Sequence, residues 1–208
     1  MLKWVALHLQ ALLPLHPACT HTKGNGGCAS AIRRAESALE SGIYHFLYRT
    51  DIRGFYRHIR REDIVRLLAT HVSDAVLRNL ACQAVSGDIE DGGTFFTARG
   101  LVRGSSLSPL LGSALLYEMD SELAQNDVFY VRYMDDLLVM ARTRWGLRRA
   151  RRLMMEHLTQ KGVTIARDKT QVGRLPGVRF TWLGYRYDTG PGPAEYMKTK
   201  LPVRRRSQ

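Results

Sequence analysis

The sequence predicts an α+β fold, a split β-α-β arrangement in which an antiparallel, ferredoxin-like sheet carries helices on one face. Three observations predict it. Aromatic and β-branched residues from 43 to 51 read as a first strand ending in Asp51. Apolar stretches at 128–133 and 137–141 flank Met134, Asp135 and Asp136, so they read as a hairpin with an acidic tip. Helical-period stretches fill the intervals between and after these strands, with no internal repeat and no clear linker before residue 188.

Composition narrows the class. With 208 residues, 45% apolar and 24% charged, the chain can bury a substantial core and is neither disordered nor fibrous. No apolar run reaches the roughly 18 residues of a membrane span, so no membrane partner is expected. Cys19, Cys28 and Cys82 are too few and too scattered for a disulfide framework or a Cys-rich zinc site, which points to a reducing, cytoplasmic setting. The 31 Lys and Arg against 19 Asp and Glu leave a net charge of +12, and an excess of that size implies a polyanionic partner, nucleic acid before acidic lipid.

From the N-terminus, residues 1–19 imitate a signal peptide. His8, Gln10 and Pro14 interrupt its apolar core, and His16 stands where a processing site takes a small or aliphatic residue, so an apolar helix packed on the domain is expected instead. A glycine-rich loop at 20–27, with Lys23, Gly24, Asn25, Gly26 and Gly27, leads into a helix over 29–39, a geometry that receives a phosphate or serves as an ordinary turn. After the first strand, Ile64, Leu67, Leu68 and Val72 recur at helical spacing, and a second helix carries Val76, Leu77, Leu80 and Ala81. Residues 87–93 form a turn and 94–97 a short strand. Ser108 supplies a capping hydroxyl and Pro109 the first position of a helix over 110–123. Beyond the hairpin, a helix over 145–161 stops at Gly162, and 163–166 and 178–187 read as strands. The expected divisions are 1–42, 43–187 and a basic, flexible tail at 188–208.

Three carboxylates stand out. Two bare carboxylates adjacent on a tight turn repel each other and are tolerable chiefly where cations neutralise them. In a split β-α-β sheet the first strand and the hairpin lie side by side, which brings Asp51, Asp135 and Asp136 to one edge. Hard oxygen donors of this kind suit Mg²⁺, with Mn²⁺ as a substitute. Two such ions, about 3.5–4 Å apart, would activate an attacking hydroxyl and stabilise departing pyrophosphate, which is nucleotidyl transfer.

The run Tyr133-Met134-Asp135-Asp136 between two apolar strands is preceded by Gly100 to Leu111 and, before that, by Asp51-Ile52-Arg53-Gly54-Phe55-Tyr56. Together, in that order, these blocks resemble the palm of a reverse transcriptase, the right-hand polymerase type. Downstream, Asp168-Lys169-Thr170 resembles the family's motif D, and Phe180-Thr181-Trp182-Leu183-Gly184-Tyr185 its motif E, the primer grip. The resemblance covers residues 16–187. It looks closest to prokaryotic enzymes of the group II intron lineage and their unclassified relatives, whose glycine-rich segment is similar to Lys23–Gly27.

The resemblance implies an RNA-directed DNA polymerase that extends a DNA primer on an RNA template with dNTPs. It implies metal ligation by Asp51, the Ile52 carbonyl and Asp135, with Asp136 supporting the site. Tyr56 matches the steric gate, an aromatic ring in the space a ribose 2′-hydroxyl would need. Arg103 stands where many members have glutamine beside the incoming sugar, so a contact to phosphate is expected of it. Gly104 with Ser108 and Pro109 admits the template-primer. Lys169 matches a general acid toward pyrophosphate, and Trp182, Leu183 and Gly184 shape the hairpin that positions the primer end. Arg148 and Arg152, within a cluster of six arginines between 142 and 152, and a basic tail of Lys198, Lys200 and Arg204 to Arg206 can track a phosphate backbone. Full-length members also carry fingers and a thumb. Here a fingers remnant and no thumb are expected, which leaves an alternative: a truncated, catalytically silent nucleic-acid-binding palm, or one piece of a split enzyme completed by a separate fingers or thumb polypeptide.

Overall fold

A computed structural model describes residues 2–86, 89–91, 94–96, 100–101, 105–192 and 194–202. Arg103, Gly104, Arg204, Arg205, Arg206 and parts of the expected turn at 87–93 lie outside the described residues. The elements are, in order, α1 (Leu2–Leu12), α2 (Gly27–Glu40), β1 (Phe46–Asp51), α3 (Phe55–His58), α4 (Arg61–His71), α5 (Ala75–Ser86), β2 (Ile89–Asp91) and β3 (Thr94–Phe96). There follow α6 (Ser108–Leu115), α7 (Tyr117–Gln125), β4 (Val128–Tyr133), β5 (Asp136–Ala141), α8 (Arg144–Gln160), β6 (Gln171–Arg174), β7 (Arg179–Trp182), β8 (Tyr185–Thr189) and β9 (Tyr196–Lys200).

The principal sheet has the order β4-β5-β1-β6, and every neighbouring pair is antiparallel. β5 lies inside it and is buried at every residue from Leu137 to Ala141. An uninterrupted apolar strand is what a sheet covered on both faces requires. Tyr48, Tyr130, Leu137 and Val139 face a core built with α1 and with α3 through α8. Leu47, Val131, Leu138 and Met140 face a second core, with Ala31, Ala35 and Ala38 of α2 and with Phe180, Trp182 and Tyr187 of the sheet β7-β8-β9. The expectation of helices on one face is therefore corrected. The i, i+4, i+7 alanines of α2 let that helix lie close on the opposite face.

Other differences have local causes. The expected helix over 110–123 breaks at Leu116 (φ −101°, ψ 13°), whose N–H bonds to the Ser113 carbonyl three residues back. Both halves bury apolar residues on one core, so the periodicity runs through the break. Helix α6 begins one residue before Pro109, so Ser108 is its first residue and Leu107, without a side-chain cap, precedes it. Residues 163–166 contribute only the single bridge Ile165–Ile52. The strand read at 178–187 is a hairpin, turning through Leu183 (φ 44°) and Gly184 (φ 83°), the paired left-handed residues that a tight two-residue turn needs. Of the tail expected at 188–208, residues 196–200 are ordered as a strand: β9 pairs with β8 along its length, and Tyr196 packs against the second core.

Helix α1 matches expectation, burying Val5 and Leu9 against the first core. No helix among the described residues is long and apolar enough to cross a membrane. The free edge of β4 is covered by residues 18–20: Arg132 N–H donates to the Ala18 carbonyl, Thr20 N–H donates to the Arg132 carbonyl, and Cys19 bridges Arg132 in parallel.

Candidate active site

β1 and β5 pair so that Asp51 lies directly opposite Asp136. Asp135 sits in the two-residue turn between β4 and β5, and its carbonyl accepts the Ile52 N–H at 2.9 Å. Antiparallel register alone thus brings the three sequence-predicted carboxylates to one end of the sheet. Asp51 is buried, and the Lys169 Nζ donates to its Oδ2 at 3.1 Å. Asp136 pairs with Arg49, whose other guanidinium nitrogen donates to the Lys169 carbonyl at 2.9 Å. Burial pushes the Asp136 carboxyl up to about 6, with the Asp51 and Asp135 charges adding to the rise and Arg49 opposing it.

Tyr56 follows Gly54, which enters α3 in the left-handed region (φ 53°). Its ring lies against Phe55, and its hydroxyl is buried without a hydrogen-bond partner among the described residues. Burial, reinforced by the nearby Asp135 charge, raises the phenol well above its ordinary range, so it stays neutral. Two glycines make room for it. A Cβ on Gly112 of α6 would stand 2.9 Å from the Phe55 ring and 3.1 Å from the Tyr56 ring. A Cβ on Gly100 (φ 84°) would stand 2.2 Å from the Tyr56 carbonyl, which accepts the Leu101 N–H at 2.7 Å.

The acidic turn is held from behind by groups that sequence reasoning missed. Met134 has φ 56°, uncommon for a non-glycine residue. Its N–H donates to His21 Nδ1 at 2.8 Å, and its carbonyl accepts from the Arg132 guanidinium at 3.0 Å. Because Nδ1 accepts, the His21 proton resides on Nε2, which faces Ser113 Oγ at 2.9 Å and the Pro109 carbonyl at 3.2 Å. Burial, helped by the Arg132 charge, lowers His21 to about 4, which keeps it neutral. Arg132 is itself fully buried and bonded to Asp120 of α7, which also accepts the Tyr130 hydroxyl at 2.7 Å. A charged residue inside the apolar strand at 128–133 was the signal for a buried partner. Arg49, two residues before Asp51 and so on the same strand face, was legible in the same way. Nothing in the sequence marked His21.

The remaining predicted residues are dispersed. Pro109 contributes its carbonyl beneath the turn, and Ser108 is buried. Trp182 is wholly buried under the β7–β8 hairpin, with Leu183 and Gly184 at its tip, so the ring shapes the hairpin from beneath. The glycine-rich loop is knitted inward: the Asn25 amide donates to the His16 and Cys19 carbonyls and to Thr22 Oγ1, and the Gly27 N–H donates to the Thr20 carbonyl. Arg148 and Arg152 lie on the exposed side of α8.

Three carboxylates whose charges act on one another form a donor set suited to a hard divalent cation. Among the described residues no three metal-ligating side chains form a ready-made cage. Asp51 is held by Lys169 and Asp136 by Arg49.

This arrangement has relatives among solved structures. A telomerase from Candida albicans, in complex with the TWJ fragment of telomeric RNA, superposes with a TM-score of 0.65 at 15% identity, over 90% of this chain and 36% of that one. Apo telomerase from Candida tropicalis gives 0.66 at 12% identity, over 96% and 39%, and its form truncated from the C-terminal domain gives 0.64 at 13%, over 96% and 44%. The chain thus spans less than half the length of these relatives, which share its fold. A search of curated proteins finds no match. The family model for the reverse transcriptase (RNA-dependent DNA polymerase) matches residues 3–187, a span that runs from α1 through the paired carboxylates and Lys169 to β8. The chain belongs to the reverse transcriptase family.

Proposed function

We propose that this chain is the palm of an RNA-directed DNA polymerase that joins dNTPs to a primer 3′-hydroxyl on an RNA template. The observation that carries the reading is the meeting of Asp51, Asp135 and Asp136 at one sheet end beside Lys169 and the Tyr56 ring. The strand order β4-β5-β1-β6, with α6 and α7 leading into β4 and α8 into β6, supports the split β-α-β palm. In this reading Asp51, the Ile52 carbonyl and Asp135 hold Mg²⁺, and Asp136 supports them. When bound, a pair of such ions lowers the pKa of the attacking hydroxyl and stabilises charge on the leaving pyrophosphate.

The residues of the chain do the rest. Lys169 releases Asp51 as the triphosphate arrives and carries on Nζ the proton that the departing pyrophosphate oxygen takes. Arg49 holds Asp136 in place and, through the Lys169 carbonyl, ties the two sides of the site together. The Tyr56 ring, neutral and packed against α6, fills the space of a ribose 2′-hydroxyl and favours deoxynucleotides.

Primer extension on an RNA template, with dNTPs or NTPs, tests this. Wild type is expected to extend with dNTPs, Asp135→Ala to lose at least about 10³-fold in rate, and Tyr56→Ala to accept NTPs at least tenfold better. Extension that persists in Asp135→Ala, or wild type that prefers NTPs, refutes the assignment. A second reading is favoured by the ion pairs Asp51–Lys169 and Asp136–Arg49, which occupy the carboxylates. A folded wild type that binds primer-template and yields no Asp135-dependent product is this silent, nucleic-acid-binding palm.

A further inference from the structure

The end of the principal sheet remote from the carboxylates carries a cavity of about 610 Å³. Its floor is Phe46 and Tyr48 of β1 with residues 172–174 of β6, and its wall is α8. Four arginines line it: Arg144, Arg148 and Arg151 from one side of α8, and Arg174 from β6 across the gap. Among the described residues no acidic one lines it, and none of the four arginines is in an ion pair. Four unneutralised guanidinium groups around one concavity repel each other, and an anionic ligand relieves that repulsion.

Two further features indicate the ligand. The Trp145 indole is 74% exposed, unusual for so large an apolar ring, and the Arg148 guanidinium lies 5.0 Å from its centroid. A helix rises about 1.5 Å per residue, so the α8 arginines are stepped by about 6 and 4.5 Å along the axis. A row of guanidinium groups beside an exposed indole is the combination of electrostatic track and stacking platform that single strands use.

We propose that this cavity is a second nucleic-acid site, which takes the phosphates of a single-stranded segment while Trp145 stacks on a base. The nearest lining residue of β1, Tyr48, is three residues from Asp51, about 10 Å at strand rise, and an odd spacing puts the two side chains on opposite faces of the sheet, so the site is separate from the carboxylates. The inference rests on the reading that the chain handles nucleic acid, not on its being an active polymerase. The site would hold the strand away from the reacting end.

The test uses the full chain and a fluorescein-labelled 15-mer of oligouridylate, read by anisotropy between 50 and 200 mM salt. Arg148→Glu/Arg151→Glu is expected to weaken binding at least tenfold and to flatten the slope of log affinity against log salt by about 1.4, two phosphates at about 0.7 each. Trp145→Ala is expected to weaken it at least fivefold, and in wild type the oligonucleotide quenches a tryptophan signal that this variant lacks. Arg33→Glu/Arg186→Glu makes the same change of charge at exposed positions away from the cavity and is expected to bind within about twofold of wild type. Equal weakening by both charge reversals, or unchanged affinity in a folded Arg148→Glu/Arg151→Glu, overturns the site. So does tighter binding of a poly-glutamate peptide of the same length, which would make it a protein contact. Because binding is read without catalysis, a failure of primer extension in the same preparation counts against the polymerase reading alone.

Discussion

Met134 adopts a left-handed conformation that costs a residue with a Cβ on the order of 1 kcal/mol, and two side chains hold it there. His21 accepts its N–H and Arg132 donates to its carbonyl, so the turn that presents Asp135 is clamped on both sides of one residue. The His21 bond exists only while Nδ1 is unprotonated. With a folded-state value of about 4 against the ordinary 6.5, the unfolded chain takes up this proton first as pH falls. The stability that neutral His21 contributes is therefore complete above about 6.5 and is lost between 6.5 and 4. At pH 5 the loss is about 2 kcal/mol relative to pH 7. Urea unfolding at the two pH values checks this: between pH 7 and pH 5 wild type is expected to lose about 2 kcal/mol more than His21→Leu does, and His21→Leu starts from a lower stability. His21→Asn restores an acceptor at the Nδ1 position and is expected to recover part of the stability that His21→Leu forfeits at pH 7.

At the level of elements, α6 is the member whose sequence looks ordinary and whose packing is not. Gly112 is buried where a Cβ would meet the Phe55 and Tyr56 rings of α3. In an exposed helix Gly→Ala stabilises by about 1 kcal/mol. Here the sign reverses: Gly112→Ala is expected to destabilise by about 1–3 kcal/mol through overpacking and, if Tyr56 is the gate proposed above, to raise the dNTP KM several-fold by displacing its ring. A thermal shift upward instead of downward refutes that packing. Elements were legible wherever periodicity and local chemistry agreed: α8, with Thr143 accepting the Gly146 N–H at its start and Gly162 beyond its end, was legible at both ends. Elements failed where one apolar pattern served two geometries. Leu116 sits in an unbroken helical period and still breaks the helix, and the stretch at 178–187 is apolar enough for one strand yet turns at Leu183 and Gly184. Such breaks are set by what packs against the element, which local sequence does not encode.

Across the whole molecule, the carboxylate cluster was legible because antiparallel register is all it needs: a hairpin beside a strand places Asp51 opposite Asp136. The clamp behind it was not legible, because it depends on residues far apart in the chain that only the closed fold brings together. The net charge of +12 gave a partner in general terms. The structure separates two kinds of basic residue: Arg49 and Lys169 are neutralised at the carboxylates, whereas Arg144, Arg148, Arg151 and Arg174 of the α8 cavity have no carboxylate partner among the described residues and are part of the excess. The covering of the β4 edge by residues 18–20, together with the His21–Met134 bond, has a consequence for the order of assembly. These contacts join residues more than 110 positions apart, whereas β4 and β5 pair through a two-residue turn. Loop closure of that length is slow relative to hairpin formation. In refolding from urea, strand content read by far-UV circular dichroism is expected to return before primer extension does, and the lag to disappear for stability probes placed in the hairpin alone. The turn that presents Asp135 would then be the last part of the chain to acquire its native shape.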